Sequence, residues 1–123
     1  MHTGLRIDAD GAQVAWRPTS TEGVEWCLLE SEGAGEGPAA GATVLIRMAP
    51  GCGYPAHRHL DTEEVLVLAG GYRDEQGDHL AGAYLRYPAN SEHTPVAIGD
   101  TPCLLYATAR GGIEVLGEQG ASG

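Results

Sequence analysis

Apolar and polar positions alternate along this chain in short runs, and the runs are separated by turn residues at close intervals. Val24–Glu30, Ala42–Met48, Glu63–Ala69 and Cys103–Ala109 are the clearest runs, each of strand length and rich in Val, Leu or Ile. Shorter alternations predict strands at Ala12–Arg17 around Val14 and Trp16, at Tyr84–Tyr87, at His93–Val96 and at Ile113–Leu116. Tyr72–Asp74 and His79–Ala81 predict a hairpin across Glu75-Gln76-Gly77-Asp78. Pro18–Gly23 reads as a loop and Ser31–Gly41 as a flexible connection. The first ten residues read as a loose lead-in or an edge strand, and the Gly-rich C-terminus as a frayed tail. No segment longer than one turn places apolar residues at helical spacing with caps. About ten short strands with closely spaced turn signals predict an all-β sandwich or barrel.

Composition narrows this picture. A chain of 123 residues is one domain, with the barrel over roughly residues 12–116. Its 19 glycines and 7 prolines supply the turns, and with no Phe the core must rest on Leu, Val, Ile, Ala and a few Tyr and Trp. A net charge of −10 argues against nucleic acid and disfavours an anionic membrane, so neither is expected as a partner. The acidity reads as solubility charge. All seven basic residues are Arg, which excludes Schiff-base lysine chemistry. Cys27, Cys52 and Cys103 form no CxxC pair, so neither a disulfide framework nor a zinc ribbon is indicated. With no apolar leader and no run of transmembrane length, a cytoplasmic location is the default expectation.

The candidate chemistry lies in Gly51–Gly70 and Gly82–His93. His57 and His59 are one residue apart, so on a strand they point to the same side. His93 follows a Pro-containing turn, and a glutamate opens the apolar run at Glu63 or Glu64. Three imidazoles and a carboxylate are a donor set for a divalent metal. A lone histidine is ordinarily a surface or hydrogen-bonded residue, and His2 and His79 are expected to be exposed in that way. A carboxylate on the inward face of an apolar strand is costly unless paired or bound to a cation. Glu63 shares a face with Val65 and Val67, Glu64 with Leu66 and Leu68, so alternation by itself leaves both open. Arg47, Tyr84, Arg86, Tyr87 and Tyr106 lie on predicted strands, and of these Arg47, Tyr84, Arg86 and Tyr106 are the candidate catalytic side chains. Solvent-facing ion pairs are the equally available role for the arginines. Glu92 is expected to face outward or to support His93, and Cys52 to pack or to sense oxidant.

These residues resemble the cupin superfamily. Its first motif, G(X)5HXH(X)3,4E(X)6G, is met by Gly51, His57, His59, Glu63 and Gly70, and Glu64 would break the last interval. Its second, G(X)5PXG(X)2H(X)3N, is met by Gly82, Pro88 and His93, with Asn90 in place of Gly and Ala97 in place of Asn. Asn tolerates positive φ, so the turn is expected to survive. The run His57-x-His59-x-x-x-Glu63-Glu64-Val65-Leu66-Val67-Leu68-x-Gly70 carries the likeness further, with Asp74-Glu75-x-Gly77, Gly82-x-Tyr84 and Pro88-x-x-Ser91-x-His93-x-Pro95. It is similar to the ChrR-type cupin domain, over about Trp16–Leu116.

The resemblance implies an RmlC-like double-stranded β-helix, a single-domain jelly-roll barrel. It implies one divalent metal per chain on His57, His59, Glu63 and His93: Fe(II) or Zn(II), with Mn(II) or Ni(II) admissible. Relatives of that group include dioxygenases that cleave acetylacetone and dihydroxyacetophenones. The expected function is therefore an Fe(II)-dependent, dioxygenase-like oxidoreductase for a small chelating substrate. The alternative is a zinc-binding sensor module without catalysis; a metal-free structural cupin is a third reading, which the intact ligand quartet disfavours. The group's anti-sigma factor grips its partner through a separate N-terminal helical zinc domain. This chain has no room for one, so a sigma factor is not an expected partner. The apolar Leu66/Leu68 face and the N-terminal strands need cover, which predicts a homodimer.

Overall fold

The computed structural model describes residues 7–8, 11–31 and 41–116, and among these every regular element is a strand. The strands are β1 (Arg17–Pro18), β2 (Val24–Ser31), β3 (Ala42–Met48), β4 (His57–His59), β5 (Glu63–Ala69) and β6 (Gly71–Asp74). They continue with β7 (Gly77–Leu80), β8 (Tyr84–Tyr87), β9 (Glu92–His93), β10 (Val96–Ala97), β11 (Cys103–Ala109) and β12 (Ile113–Val115). A six-stranded sheet runs β1-β2-β3-β11-β5-β8, and two three-stranded sheets run β10-β6-β7 and β12-β4-β9.

The large sheet is antiparallel, and its register aligns one apolar face. Met48, Ile46, Val44 and Ala42 of β3 stand opposite Cys103, Leu105, Ala107 and Ala109 of β11. On the other side of β11, Leu105, Ala107 and Ala109 pair with Val67, Val65 and Glu63 of β5. Val65 and Glu63 in turn face Leu85 and Tyr87 of β8. These inward positions form the core with Val24 and Trp26 of β2 and with Tyr72 and Ala97 from the small sheets. Because side chains repeat every second residue, Glu63 is carried to the inner face with Val65 and Val67. This is the all-β barrel that the sequence pattern predicts, with the jelly-roll form that the cupin resemblance implies.

Two motif positions close its turns. Gly70 has φ 66°, and a Cβ there would meet the Pro102 carbonyl oxygen at 2.4 Å. Asn90 has φ 72°, so the turn before β9 keeps its left-handed residue without glycine.

Several predicted elements differ in extent. The expected Ala12–Arg17 strand shrinks to Arg17–Pro18, because Gly11 at φ 63° starts a turn in which Val14 N–H bonds the Gly11 carbonyl. The Trp16 indole N–H bonds the same carbonyl. The β6–β7 hairpin turns on Glu75 and Gln76 alone, since Gly77 pairs with Asp74 and Asp78 with Arg73. The predicted His93–Val96 strand divides into β9 and β10, with Pro95, which has no N–H for the ladder, between them. β2 reaches Ser31, and β12 ends at Val115. The lead-in, residues 32–40 of the predicted connection and the C-terminal tail lie outside the described residues, apart from residues 7–8.

Candidate metal centre

His57 and His59 occupy alternate positions of the three-residue strand β4, so both rings leave the same face. Strand β9 pairs antiparallel with β4 and sets His93 directly across from His57. A turn at residues 60–62 then delivers the chain to β5, whose first residue is Glu63. Two sheets thus contribute to one spot. One donor atom from each of His57, His59, Glu63 and His93 lies within 4.8 Å of the others, and all four residues are buried.

Hydrogen bonds on the far side of each ring decide what faces inward. His57 Nδ1 is 2.8 Å from the Pro55 carbonyl oxygen, which can only accept, so Nδ1 carries the proton. His93 Nδ1 donates to Asp74 Oδ2 at 3.0 Å. His59 Nδ1 meets Ser91 Oγ at 2.9 Å, and that hydroxyl is already spent on the Pro88 carbonyl at 2.6 Å, so it accepts from the ring. In the neutral rings, all three Nε2 atoms therefore present lone pairs to the common centre.

The distances there are short. His57 Nε2 and His93 Nε2 stand 2.9 Å apart. Glu63 Oε1 is 2.6 Å from His59 Nε2, yet that nitrogen has no partner in hydrogen-bonding geometry. Lone pairs and a carboxylate at such separations repel unless a cation lies among them. The donor set fits a divalent ion, because neutral imidazole and carboxylate suit Zn, Fe, Mn and Ni. Burial, then the neighbouring His93, lowers the His57 pKa to about 4 against the opposing Pro55 bond. Burial also lowers that of His93, which keeps both rings available as ligands at neutral pH.

Behind His93 lies a buried polar chain. Tyr72 Oη donates to Tyr87 Oη at 2.5 Å, and Tyr87 donates to Asp74 Oδ2 at 2.7 Å. Asp74 Oδ1 accepts from Gln76 N–H at 2.9 Å and from His79 Nε2 at 2.8 Å. Burial pushes the Asp74 carboxyl up, but hydrogen bonds from His93, His79, Tyr87 and Gln76 outweigh it and hold the group at about 2. Burial raises both tyrosine hydroxyls well above their ordinary range, so both stay protonated. Tyr87 also stacks on His59 with ring centroids 5.0 Å apart.

A cavity opens beside the four residues. His57, Glu63 and His93 reach its wall, and Val44, Ile46, Met48, Leu105, Ala107 and Ile113 make it apolar. Tyr54 and Tyr72 are the hydroxyl-bearing side chains in that lining.

The four catalytic candidates lie elsewhere. Glu64, Arg86, Leu66 and Tyr84 face one another across β5 and β8, and Tyr106 sits opposite Leu66, all on the outer side of the sheet. Tyr84 donates to Glu64 at 2.7 Å, and Arg86 lies 4.0 Å from the same carboxylate. Arg47 pairs with Glu25 at 2.5 Å, its guanidinium 4.6 Å from the Trp16 ring centroid. Alternation defines two faces without saying which one is inside. Tyr87, of the opposite parity to Tyr84's neighbour Arg86, is the tyrosine of β8 that turns inward. His79, expected to be exposed, is mostly buried against Asp74. Glu92 is exposed, 3.9 Å from Arg58, and Cys52 is half-buried. His2 lies outside the described residues. The polar support at Asp74 was masked in the sequence by an ordinary hairpin pattern, Asp-Glu-Gln-Gly.

With this geometry in place, comparison with known proteins is decisive for kinship. The profile of the ChrR Cupin-like domain matches residues 6–111. The chain belongs to this cupin family. Its structure is similar to one of Rhodobacter sphaeroides SigE in complex with the anti-sigma ChrR, at 31% identity and TM-score 0.68, over 80% of this chain and 50% of that one. The cupin therefore spans half the length of that matched chain. An RmlC-like cupin protein from Ralstonia eutropha JMP134 matches at 20% identity and TM-score 0.74, over 97% of this chain and 75% of that one. An acetylacetone dioxygenase from Acinetobacter johnsonii matches at 17% identity and TM-score 0.71, over 98% and 83%. These last two likenesses concern the fold. No curated protein sequence matches the chain closely enough to add to them. Among the described residues, no helix is long and apolar enough to cross a membrane.

Proposed function

We propose that this cupin holds one divalent ion, Fe(II) in the working protein, and is a dioxygenase-like oxidoreductase for a small chelating ketone or enolate. The observation that carries the proposal is the convergence of three Nε2 lone pairs and the Glu63 carboxylate on an otherwise apolar cavity. His57, His59, Glu63 and His93 would be the ligands, and the bound ion would supply the redox chemistry that activates oxygen. Three neutral imidazoles and one carboxylate leave one positive charge on a divalent centre, which a monoanionic enolate offsets. Val44, Ile46, Met48 and Leu105 give the cavity an apolar wall that favours an apolar substrate body. None of the described arginines lines the cavity, so a second negative charge on the substrate would meet no cation there. Tyr54 remains protonated and can donate to a substrate oxygen, whereas the Tyr72 hydroxyl hydrogen is held by Tyr87.

Anaerobic purification with metal analysis, followed by oxygen uptake on β-diketones and hydroxyacetophenones, tests this reading. Iron-dependent uptake is expected. Tightly held zinc, with no uptake after iron reconstitution, would overturn it. That outcome would favour the second reading, a zinc-binding sensor module, which rests on the 31% identity to the ChrR complex against 17% to the dioxygenase. A homodimer is part of the proposal too. Leu66, Tyr84 and Tyr106 form an exposed cross-strand row on the outer face, and sedimentation should show two copies. A clean monomer would remove that part.

A further inference from the structure

We propose that Asp74 is a positioning residue for the metal centre: by accepting the Nδ1 proton of His93, it fixes the tautomer that turns the His93 Nε2 lone pair toward the ion. The inference rests on the reading of His57, His59, Glu63 and His93 as ligands, and adds a residue from the separate β6–β7 hairpin. Asp74 closes that hairpin, and its two oxygens face in different directions. Oδ1 accepts from Gln76 N–H at 2.9 Å and His79 Nε2 at 2.8 Å, which anchors the carboxylate in its own turn. Oδ2 reaches across to His93 Nδ1 at 3.0 Å and takes the Tyr87 hydroxyl at 2.7 Å. Four donors thus converge on one fully buried carboxylate. His57 and His59 have their Nδ1 protons held by neighbours on or near their own strand pair, Pro55 and Ser91. His93 is the ring whose orientation depends on another sheet.

The chemistry of Asp74→Asn makes the role testable. An amide keeps one acceptor oxygen and replaces the other with a donor. Gln76 N–H is backbone and cannot become an acceptor, so the amide oxygen stays on its side and the NH2 falls toward His93 and Tyr87. Tyr87 can rotate to accept. His93 can accept only by giving up its Nδ1 proton, and its Nε2 then carries the hydrogen into the ligand position. A buried carboxylate that orients a ligand histidine typically contributes 10- to 100-fold to metal affinity.

The test combines Co(II) titration followed by d–d absorption with long-range ¹H–¹⁵N NMR of the histidine rings in the metal-free protein. Wild type should show His93 protonated at Nδ1. Asp74→Asn should move that proton to Nε2 and weaken Co(II) by about 10- to 100-fold. Asp78→Asn, an exposed change on the same hairpin, should leave both readouts unchanged. An Nε2-protonated His93 in wild type, or an Asp74→Asn affinity within twofold of wild type, would overturn the proposal. Should Asp74→Asn fail to fold, the wild-type tautomer decides alone. Should wild type bind no Co(II), the metal reading fails and the positioning role falls with it; if wild type binds Co(II) but the His93 proton stays on Nδ1 in Asp74→Asn, the positioning role alone is overturned.

Discussion

On β5 two glutamates stand side by side and meet opposite surroundings. Glu64, on the outer face, lies within 3.4 Å of Arg110 and 4.0 Å of Arg86 and accepts the Tyr84 hydroxyl at 2.7 Å. The hydrogen bond from Tyr84 leads the effects that hold its carboxyl below the ordinary range. Glu63, on the inner face, is paired with none of the described arginines and is packed instead against His59 Nε2 at 2.6 Å. The same side chain is thus neutralised by the protein on one face and left to histidine lone pairs on the other. Sheet alternation creates the difference, and a divalent cation would resolve it on the inner side. A buried carboxylate among unprotonated nitrogens is the sign of a metal site, while a carboxylate among arginines is surface electrostatics.

The largest effects are expected at the ligands. His59→Ala should remove most bound metal, lowering affinity by more than the roughly 100-fold that a supporting residue contributes. His79→Ala, which leaves Asp74 three of its donors, should retain the metal; equal losses measured by elemental analysis would mean that the ligands are misassigned. Glu63→Gln should also empty the site, yet leave the metal-free protein at least as heat-stable as wild type, since a buried charge without a cation is gone. Glu64→Gln should do neither, and calorimetry with and without metal reads both.

Addition of metal sharpens the contrast further. At a concentration 100 times Kd, wild type should gain about 2.7 kcal/mol of unfolding free energy, and His59→Ala should gain almost none. Apolar positions on the two faces should differ as well. Leu105→Ala removes a buried cavity-lining side chain and should cost about 2–5 kcal/mol, towards the low end because the cavity is already there. Leu66→Ala, on the outer face and 37% exposed, should cost much less in the same denaturant titration. Equal costs would contradict the assignment of faces.

How much of this was legible in the chain depended on length and phase. The predicted bounds of β3, β5, β8 and β11 match those observed, because alternation over four to seven residues is a strong signal. The two-residue strands β1, β9 and β10 carry too few positions to show a period, and their pairing is set by distant partners. The HxH pair was legible from spacing alone, and the Glu63/Glu64 choice required the motif interval. That His93 lies opposite His57 is a matter of register between β4 and β9, which no local pattern encodes. Arg47, Tyr84, Arg86 and Tyr106 sat on true strands but on the outer face, since both faces of β5 and β11 carry apolar residues. Asp74 stands in the run that carries the ChrR likeness, but its hydrogen bond to His93 was not legible, because that oxygen serves a ring 19 residues away.

One divalent ion is expected among His57, His59, Glu63 and His93. Anomalous scattering from crystals of the purified protein, collected on both sides of the metal's absorption edge, tests it most directly. A single strong peak is expected about 2.0–2.2 Å from the three Nε2 atoms and a Glu63 carboxylate oxygen. A peak at any other set of residues, or none after reconstitution with Fe(II) and Zn(II), would contradict it.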